Sequence, residues 1–289
     1  MSAEDFEELG TRGIQSAVGR GMKMTKVGCW CAAGLAALAL AGCGGGAGET
    51  LTIGMELNYP PFEMVDDRGR PAGIGVEMAR ALADDLDREL KVENIPFDGL
   101  IPALRTGRVD LVISSMTATD ERRETIDFSA PYVSTGLAIL VPAGSGVEGV
   151  DDLKGGKRIV VKLGTTGEVY ARQHLPEATV VSLDQESACV LEVSQGKADA
   201  FIYDQLSIFN YQQKNPETTR ALLSPLQHEK WAVGVRKGDD ALREQVNAFI
   251  AEFRARGGFD ELAERFLQEE KAMLEAEGIP FIFEAVEER

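Results

Sequence analysis

Histidine, cysteine and positive charge are all scarce in this 289-residue chain, and each scarcity closes off a class of function. Two histidines (His174, His228) and four cysteines form no zinc-type spacing, so no metal centre is expected. Thirty basic side chains stand against 47 acidic ones, a net charge of −17. That balance argues against a nucleic-acid binder, and it gives phosphorylated substrates and anionic membrane surfaces little to attract them. No cofactor motif is visible either: the turn Gly164-Thr165-Thr166-Gly167 has neither the Walker spacing nor its lysine. What is present is ordinary for a folded globule, with 44% hydrophobic residues and a length that suits one large domain or two medium ones.

The N-terminus reads as an address. Lys23 and Lys26 precede an uncharged stretch rich in Ala, Leu and Gly that ends in small residues, the form of a secretory signal. A plain transmembrane helix is the rival reading, but 27–42 is short for one. The end of the stretch, Leu40-Ala41-Gly42-Cys43, resembles the lipobox of bacterial lipoproteins. That resemblance implies a signal within 1–42, lipid on Cys43 as the new first residue, and a Gly-rich tether over 43–48. Four acids ahead of Met22 fit a signal badly, so translation is expected to start at Met22 or Met24. Cys29 and Cys31 would leave with the signal, which leaves Cys189 without a partner. Single cysteines of this kind are usually small buried hydrophobes.

The body repeats one pattern. A strand at 51–55 runs into a Pro60-Pro61 turn. A helix at 76–86 follows, with Val76, Ala79, Leu82, Ala83 and Leu86 on one face. A strand at 91–95, a helix at 99–105 capped by Asp98 and a strand at 109–113 complete the first half. The second half has strands at 157–163, 179–183 and 196–202, with helices opening at GTTG and at 187–194. Gly107-Arg108-Val109-Asp110 and Gly196-Lys197-Ala198-Asp199 occupy matching places in the two halves. Alternating strands and helices imply α/β lobes with parallel strands, and ligands of such sheets bind beyond the strands' carboxyl ends. Those ends carry Ser114-Ser115, Tyr203-Asp204, the loop after Met55 and the GTTG turn. They offer hydrogen-bonding groups and almost nothing reactive, so a binding cleft is expected before an active site.

LTIGMELNYPPFE (51–63), GIGVEMARAL, PFDGLIPALRTGRVDLVISSMTATDERRETIDFSAPY (96–132), DLKGGKRIVVKLGTTGE (152–168), GKADAFIYD (196–204) and WAVGVRKGDDALREQVNAFI (231–250) carry a resemblance. They resemble, in order, the periplasmic amino-acid-binding proteins of ABC importers, the family-3 solute-binding proteins. The resemblance implies a type II periplasmic-binding-protein fold, two α/β lobes joined by two hinge strands that close on an amino acid. Lobe 1 would be 49–135 plus 233–289 and lobe 2 136–232, with crossings near 133–136 and 230–233. The partners implied are a free amino acid, an inner-membrane ABC permease and, through Cys43, the membrane. The protein would be an exported monomer on the periplasmic or outer cell face, and not an enzyme.

The family's roles carry over residue by residue. Arg122 matches the arginine that pairs with the ligand α-carboxylate, since a guanidinium fork fits a planar carboxylate; Arg123 is its solvated neighbour. Backbone N–H groups of Thr117 and Thr166 would complete that site, with Thr165 beside them at a helix N-terminus that favours an anion. Asp204 matches the acceptor of the α-ammonium, together with the Ser115 carbonyl and the Thr117 hydroxyl; an isolated strand-end Asp is more often a turn former, and it is the motif that favours the ligand role. Ser114 lies at the same strand end. Tyr59 and Phe97 would sandwich the ligand side chain, although Phe97 also suits the core. Glu56 and Lys162 match positions facing the end of that side chain, and could present an acceptor and a donor to a side-chain amide or simply pair with each other. A glutamine-like ligand is the first expectation and a basic amino acid the second. Gly167 stands where several members carry a polar side chain, removing one contact. The alternative from another class is a cyclohexadienyl (arogenate) dehydratase, which shares this fold and would use Glu56 or Glu168 with Lys162 as acid and partner.

Overall fold

The computed structural model describes residues 49–284 and Val286. The expected extension, signal, lipobox Cys43 and tether lie outside the described residues.

The chain opens on β1 (Thr50–Met55), in which Leu51, Ile53 and Met55 are fully buried. A hairpin of β2 (Met64–Val65) and β3 (Pro71–Ala72) leads into α1 (Ile74–Asp85), which buries Val76, Ala79, Leu82 and Ala83, the face expected from periodicity. Next come β4 (Glu89–Asn94), α2 (Phe97–Arg105), β5 (Leu111–Val112), α3 (Asp120–Arg123) and the long β6 (Asp127–Pro142). The second half carries β7 (Arg158–Lys162), α4 (Thr166–His174), β8 (Thr179–Leu183), α5 (Glu186–Ser194), β9 (Ala200–Asp204), α6 (Gln205–Lys214) and β10 (Thr219–Leu222). The chain then returns through β11 (His228–Val235) to α7 (Asp240–Ala255), α8 (Gly258–Phe266) and α9 (Gln268–Ala276).

One expectation is corrected. Asp98 does not cap α2: the helix starts at Phe97 behind Pro96, with no side-chain cap bond. Proline at that point has its φ already fixed and no N–H to satisfy, so Asp98 falls inside the first turn, where its charge suits the helix dipole.

Among the described residues the main sheet runs β4-β1-β5-β11-β6-β9-β7-β8, with β10 also on β6. The strands β1, β4 and β5 are parallel, as are β7, β8 and β9. Between these two parallel groups lie β6 and β11, antiparallel to each other with Thr135 opposite Glu229. The first part of β6 pairs with β11, and its last part with β9 and β10. This is the two-lobed α/β architecture, each half with apolar packing of its own. One cluster gathers Leu100, Leu104, Val112 and Phe128, the other Leu137, Val161, Tyr170 and Ile202, and a larger core runs through both. No helix of the described residues is long and apolar enough to cross a membrane.

Cys189 is a free, fully buried thiol whose pKa burial pushes up to about 12, so it is a packing residue with negligible thiolate at neutral pH.

Candidate functional site

The carboxyl ends of the parallel strands converge on a narrow cavity of about 30 Å³. Its walls include Glu56, Tyr59, Phe97, Ser114, Ser115, Thr117, Arg122, Thr165, Thr166 and Asp204, every expected site residue except Lys162. Lys162 lines an adjoining space of about 390 Å³ that shares Glu56 and Phe97 with the first. Tyr203, expected at a strand end facing the cleft, also lines the narrow cavity, as do Leu137, Glu229 and Trp231, which were not expected there.

Arg122 sits on the four-residue helix α3, capped by Thr119, whose hydroxyl accepts from the Arg122 N–H. Its guanidinium donates to the Thr117 carbonyl at 2.8 Å and, across the cleft, to the Gly164 carbonyl at 3.0 Å, and it lies 5.3 Å above the Phe97 ring. Burial pulls its pKa down, opposed by Glu229 and Glu121. Facing it, α4 begins at Thr166 with no side-chain cap bond. The first N–H groups of a helix have no intrahelical acceptor, so a guanidinium and a positive helix end meet in one cavity.

Asp204 closes β9 and caps α6, accepting from the Leu206 and Ser207 N–H groups at 2.9 and 3.3 Å. The turn-former role is therefore present. The same carboxylate also accepts from the Tyr59 hydroxyl at 2.6 Å and the Thr135 hydroxyl at 2.9 Å. Burial pushes its pKa up to about 6, against the pull of those hydrogen bonds. The Thr117 hydroxyl donates to buried Glu229 at 3.0 Å, and Gln227 donates to the other oxygen. Glu229 is thus a second carboxylate at this end of the cavity, contributed by β11. Sequence reasoning passed over it because it read this stretch only as a crossing. Its one available signal is alternation: it stands two positions before Trp231, between exposed His228 and Lys230, and so shares the strand face that Trp231 buries.

Glu56 and Lys162 pair directly, one of the two alternatives left open by the sequence. Lys162 Nζ also donates to Glu186 at 2.9 Å, and all three side chains are at most 5% exposed. Burial drives the Lys162 pKa down, but Glu186 and Glu56 outweigh it and leave it raised. Glu186 also accepts from the Tyr203 and Tyr211 hydroxyls at 3.0 and 3.3 Å, and burial raises its pKa against Lys162. The result is a buried two-acid, one-base cluster at the inner end of the cleft.

Glu168 faces away from this chemistry. It accepts from Ser182, Gly164 N–H and Arg172, and despite burial those bonds lower its pKa, so it is a poor general acid. Gly167 has a packing cause: a Cβ there would lie 2.4 Å from the Ile202 carbonyl oxygen of β9. Gly167→Ala is expected to destabilise the protein by about 1–3 kcal/mol, as overpacking does, because backbone cannot yield as a flexible side chain would. A melting temperature equal to wild type would contradict this.

The sequence model described as bacterial extracellular solute-binding proteins, family 3, matches residues 51–269. The L-cystine-binding protein TcyJ of Escherichia coli strain K12 is 33% identical over 219 residues, 75% of this chain and 82% of its own. Among solved structures, an ancestral arginine-binding protein bound to glutamine is 33% identical, with a TM-score of 0.70, covering 75% of this chain and 97% of that one. An ancestral amino-acid-binding protein described as a precursor of cyclohexadienyl dehydratase is also 33% identical, with a TM-score of 0.70, covering 76% of this chain and 96% of that one.

Proposed function

The chain belongs to family 3 of the bacterial extracellular solute-binding proteins, and from that premise we propose that its cleft binds a polar L-amino acid and delivers it to an ABC permease. The observation that carries the reading is the meeting of half-buried Arg122 and the α4 N-terminus with the buried acids Asp204 and Glu229 in one cavity. That set of charges is complementary to a zwitterion. The α-carboxylate goes to Arg122 and the N–H groups of Thr117 and Thr166. The α-ammonium goes to Asp204, in exchange for the Tyr59 hydroxyl, with the Ser115 carbonyl and Glu229 nearby. Tyr59 and Phe97 flank the side chain, and its end reaches Glu56 and Lys162.

A glutamine-like side chain is the first choice. Lys162 commits two of its three N–H donors to Glu56 and Glu186, leaving one donor beside a carboxylate, the pair an amide can use. A basic amino acid is second: the cluster's net charge of −1 attracts a cation, while Lys162 repels it. Glutamine and arginine are related to one scaffold in the ancestral neighbour, and a cystine-binding relative extends the range to longer side chains. The dehydratase reading has that other ancestral neighbour in its favour, but it must do without Glu168, held ionised by Arg172 and Ser182.

The proposed lobes are 49–135 with 233–289, and 136–232, closing about the crossings of β6 and β11 by hinge motion. Export as a monomeric lipoprotein through Cys43 completes the proposal. A thermal-shift screen of the soluble chain, unfolded and refolded to strip carried-over ligand, tests it against the twenty amino acids and L-cystine. A ligand at 100 times its Kd adds about 2.7 kcal/mol. A strong shift with glutamine supports the first choice, and one with arginine, lysine or cystine replaces it within the same family role. No shift with any of them overturns the binding reading, and arogenate turnover is then assayed.

A further inference from the structure

Glu63 is 1% exposed, lies outside the walls of the cleft, and still touches it. Its backbone exchanges two hydrogen bonds with Tyr59, the cleft tyrosine, at 2.8 and 2.9 Å. Its Oε2 accepts from the Ser115 hydroxyl at 2.9 Å. Ser115 lines the cleft beside Ser114 and Thr117 with φ +48°, one of two positive-φ residues other than glycine among the described residues, and the only one of them in the cleft. A serine in the left-handed region is strained by about 1–3 kcal/mol and persists where its surroundings hold it. The far side of the carboxyl group is fitted as closely: a Cβ on Gly75 would lie 2.2 Å from Glu63 Oε1. Both Glu63 Oε1 and the Tyr132 hydroxyl are buried with no hydrogen-bond partner. A buried acid with one oxygen unsatisfied is expensive to keep.

We propose that Glu63 is a positioning residue, tethering Ser115 in its left-handed conformation and so setting the affinity of the cleft for its amino acid. The inference rests on the cleft being the amino-acid site. Ser115 presents its carbonyl to the ammonium end of the ligand only in that backbone conformation, and Glu63 couples it to the Tyr59 turn on the opposite side of the pocket. Burial pushes the Glu63 pKa up to about 8, against the Ser115 hydrogen bond and the attraction of Lys162, with Glu56 and Glu186 adding repulsion. At neutral pH the tether is therefore an uncharged carboxylic acid, and Tyr132, on the strand packed against it, supplies no counter-charge.

The test measures Kd for L-glutamine, or for L-arginine if glutamine does not bind, by titration calorimetry. Glu63→Gln keeps an acceptor and no charge, and is expected to bind within about 3-fold of wild type. Glu63→Met keeps the length without the acceptor and is expected to weaken binding about 5- to 30-fold, the factor that 1–2 kcal/mol represents. Glycine tolerates positive φ without a tether, so in a Ser115→Gly background the Glu63→Met change is expected to have no further effect. Ionisation strengthens the bond that Glu63 accepts from Ser115, so the ratio of wild-type to Glu63→Gln affinity is expected to rise between pH 7 and 9, the ligand's own ammonium titrating alike in both. Glu63→Met binding like wild type, or a loss that persists in the Ser115→Gly background, overturns the inference. Should Glu63→Met fail to fold, identical pH profiles for wild type and Glu63→Gln do the same. Wild type binding none of the amino acids overturns the cleft reading itself, an outcome visible before any variant is made.

Discussion

Arg122→Ala is expected to raise the Kd for the bound amino acid at least about 30-fold, because truncating one side of a buried, hydrogen-bonded ion pair costs about 2–5 kcal/mol. The guanidinium is the cation at the carboxylate end of the cavity; it is half-buried in the ligand-free protein, and a bound carboxylate would complete its desolvation. It is aimed by two carbonyls, Thr117 on its own side and Gly164 across the cleft, and braced on Phe97. Those contacts fix the fork before a ligand arrives, so little ordering entropy opposes binding. Arg122→Lys keeps the charge but not the planar fork, and is expected to recover only part of the affinity. Removal of the Gly164 contact also loosens the closed arrangement of the cleft, so most of the loss should appear as faster ligand dissociation. A Kd for Arg122→Ala within about 3-fold of wild type, in a variant with a native circular dichroism spectrum, would remove Arg122 from the carboxylate site.

The parts of this molecule that sequence made legible are those set by local chemistry. The strand ends bearing Ser114-Ser115, Tyr203-Asp204 and GTTG stand where the periodicity of the flanking segments put them, and the helix of Val76, Ala79 and Leu82 buries the face it should. The parts that stayed hidden are acids whose role depends on distant partners. Glu186 stands just ahead of the helix expected at 187–194, where a carboxylate normally meets solvent; it is buried because Lys162 and two tyrosines 17 and 25 residues downstream surround it. Glu229 and Glu63 are hidden for the same reason, their partners Thr117 and Ser115 lying 112 and 52 residues away. Hydropathy assigns every such acid to the surface, and only the sheet topology reverses that. Asp98 shows the opposite error: a residue of the right type for a cap sits two positions past the cap, because Pro96 holds that place and the helix has begun at Phe97.

That hidden cluster carries the second large prediction. Lys162→Met is expected to destabilise the ligand-free protein by about 3–5 kcal/mol, the usual consequence of stripping the partner from buried charges. At about 2–4 °C per kcal/mol for a protein of this size, the melting temperature should drop by about 6–20 °C. The pH dependence gives the mechanism away. In the wild type the Lys162 pKa is raised, so its contribution is intact below the ordinary 10.5 and is lost only as pH climbs through the raised value; between pH 5 and 8 it is constant. Without the cation little opposes the burial of Glu186, whose pKa is already raised above the ordinary 4.5 and must move further up beside Glu56. Stability of the variant then falls as pH rises from about 4.5, and its gap from wild type should be wider at pH 8 than at pH 5. A gap equal at both pH values would mean that the loss is one of packing alone. The neutral triple change Glu56→Gln, Lys162→Met, Glu186→Gln should recover most of the stability, since replacing a whole buried ion cluster is often neutral. If that protein melts like wild type but has lost its preference among glutamine, arginine and cystine, the charges are there for ligand choice and contribute little to the fold.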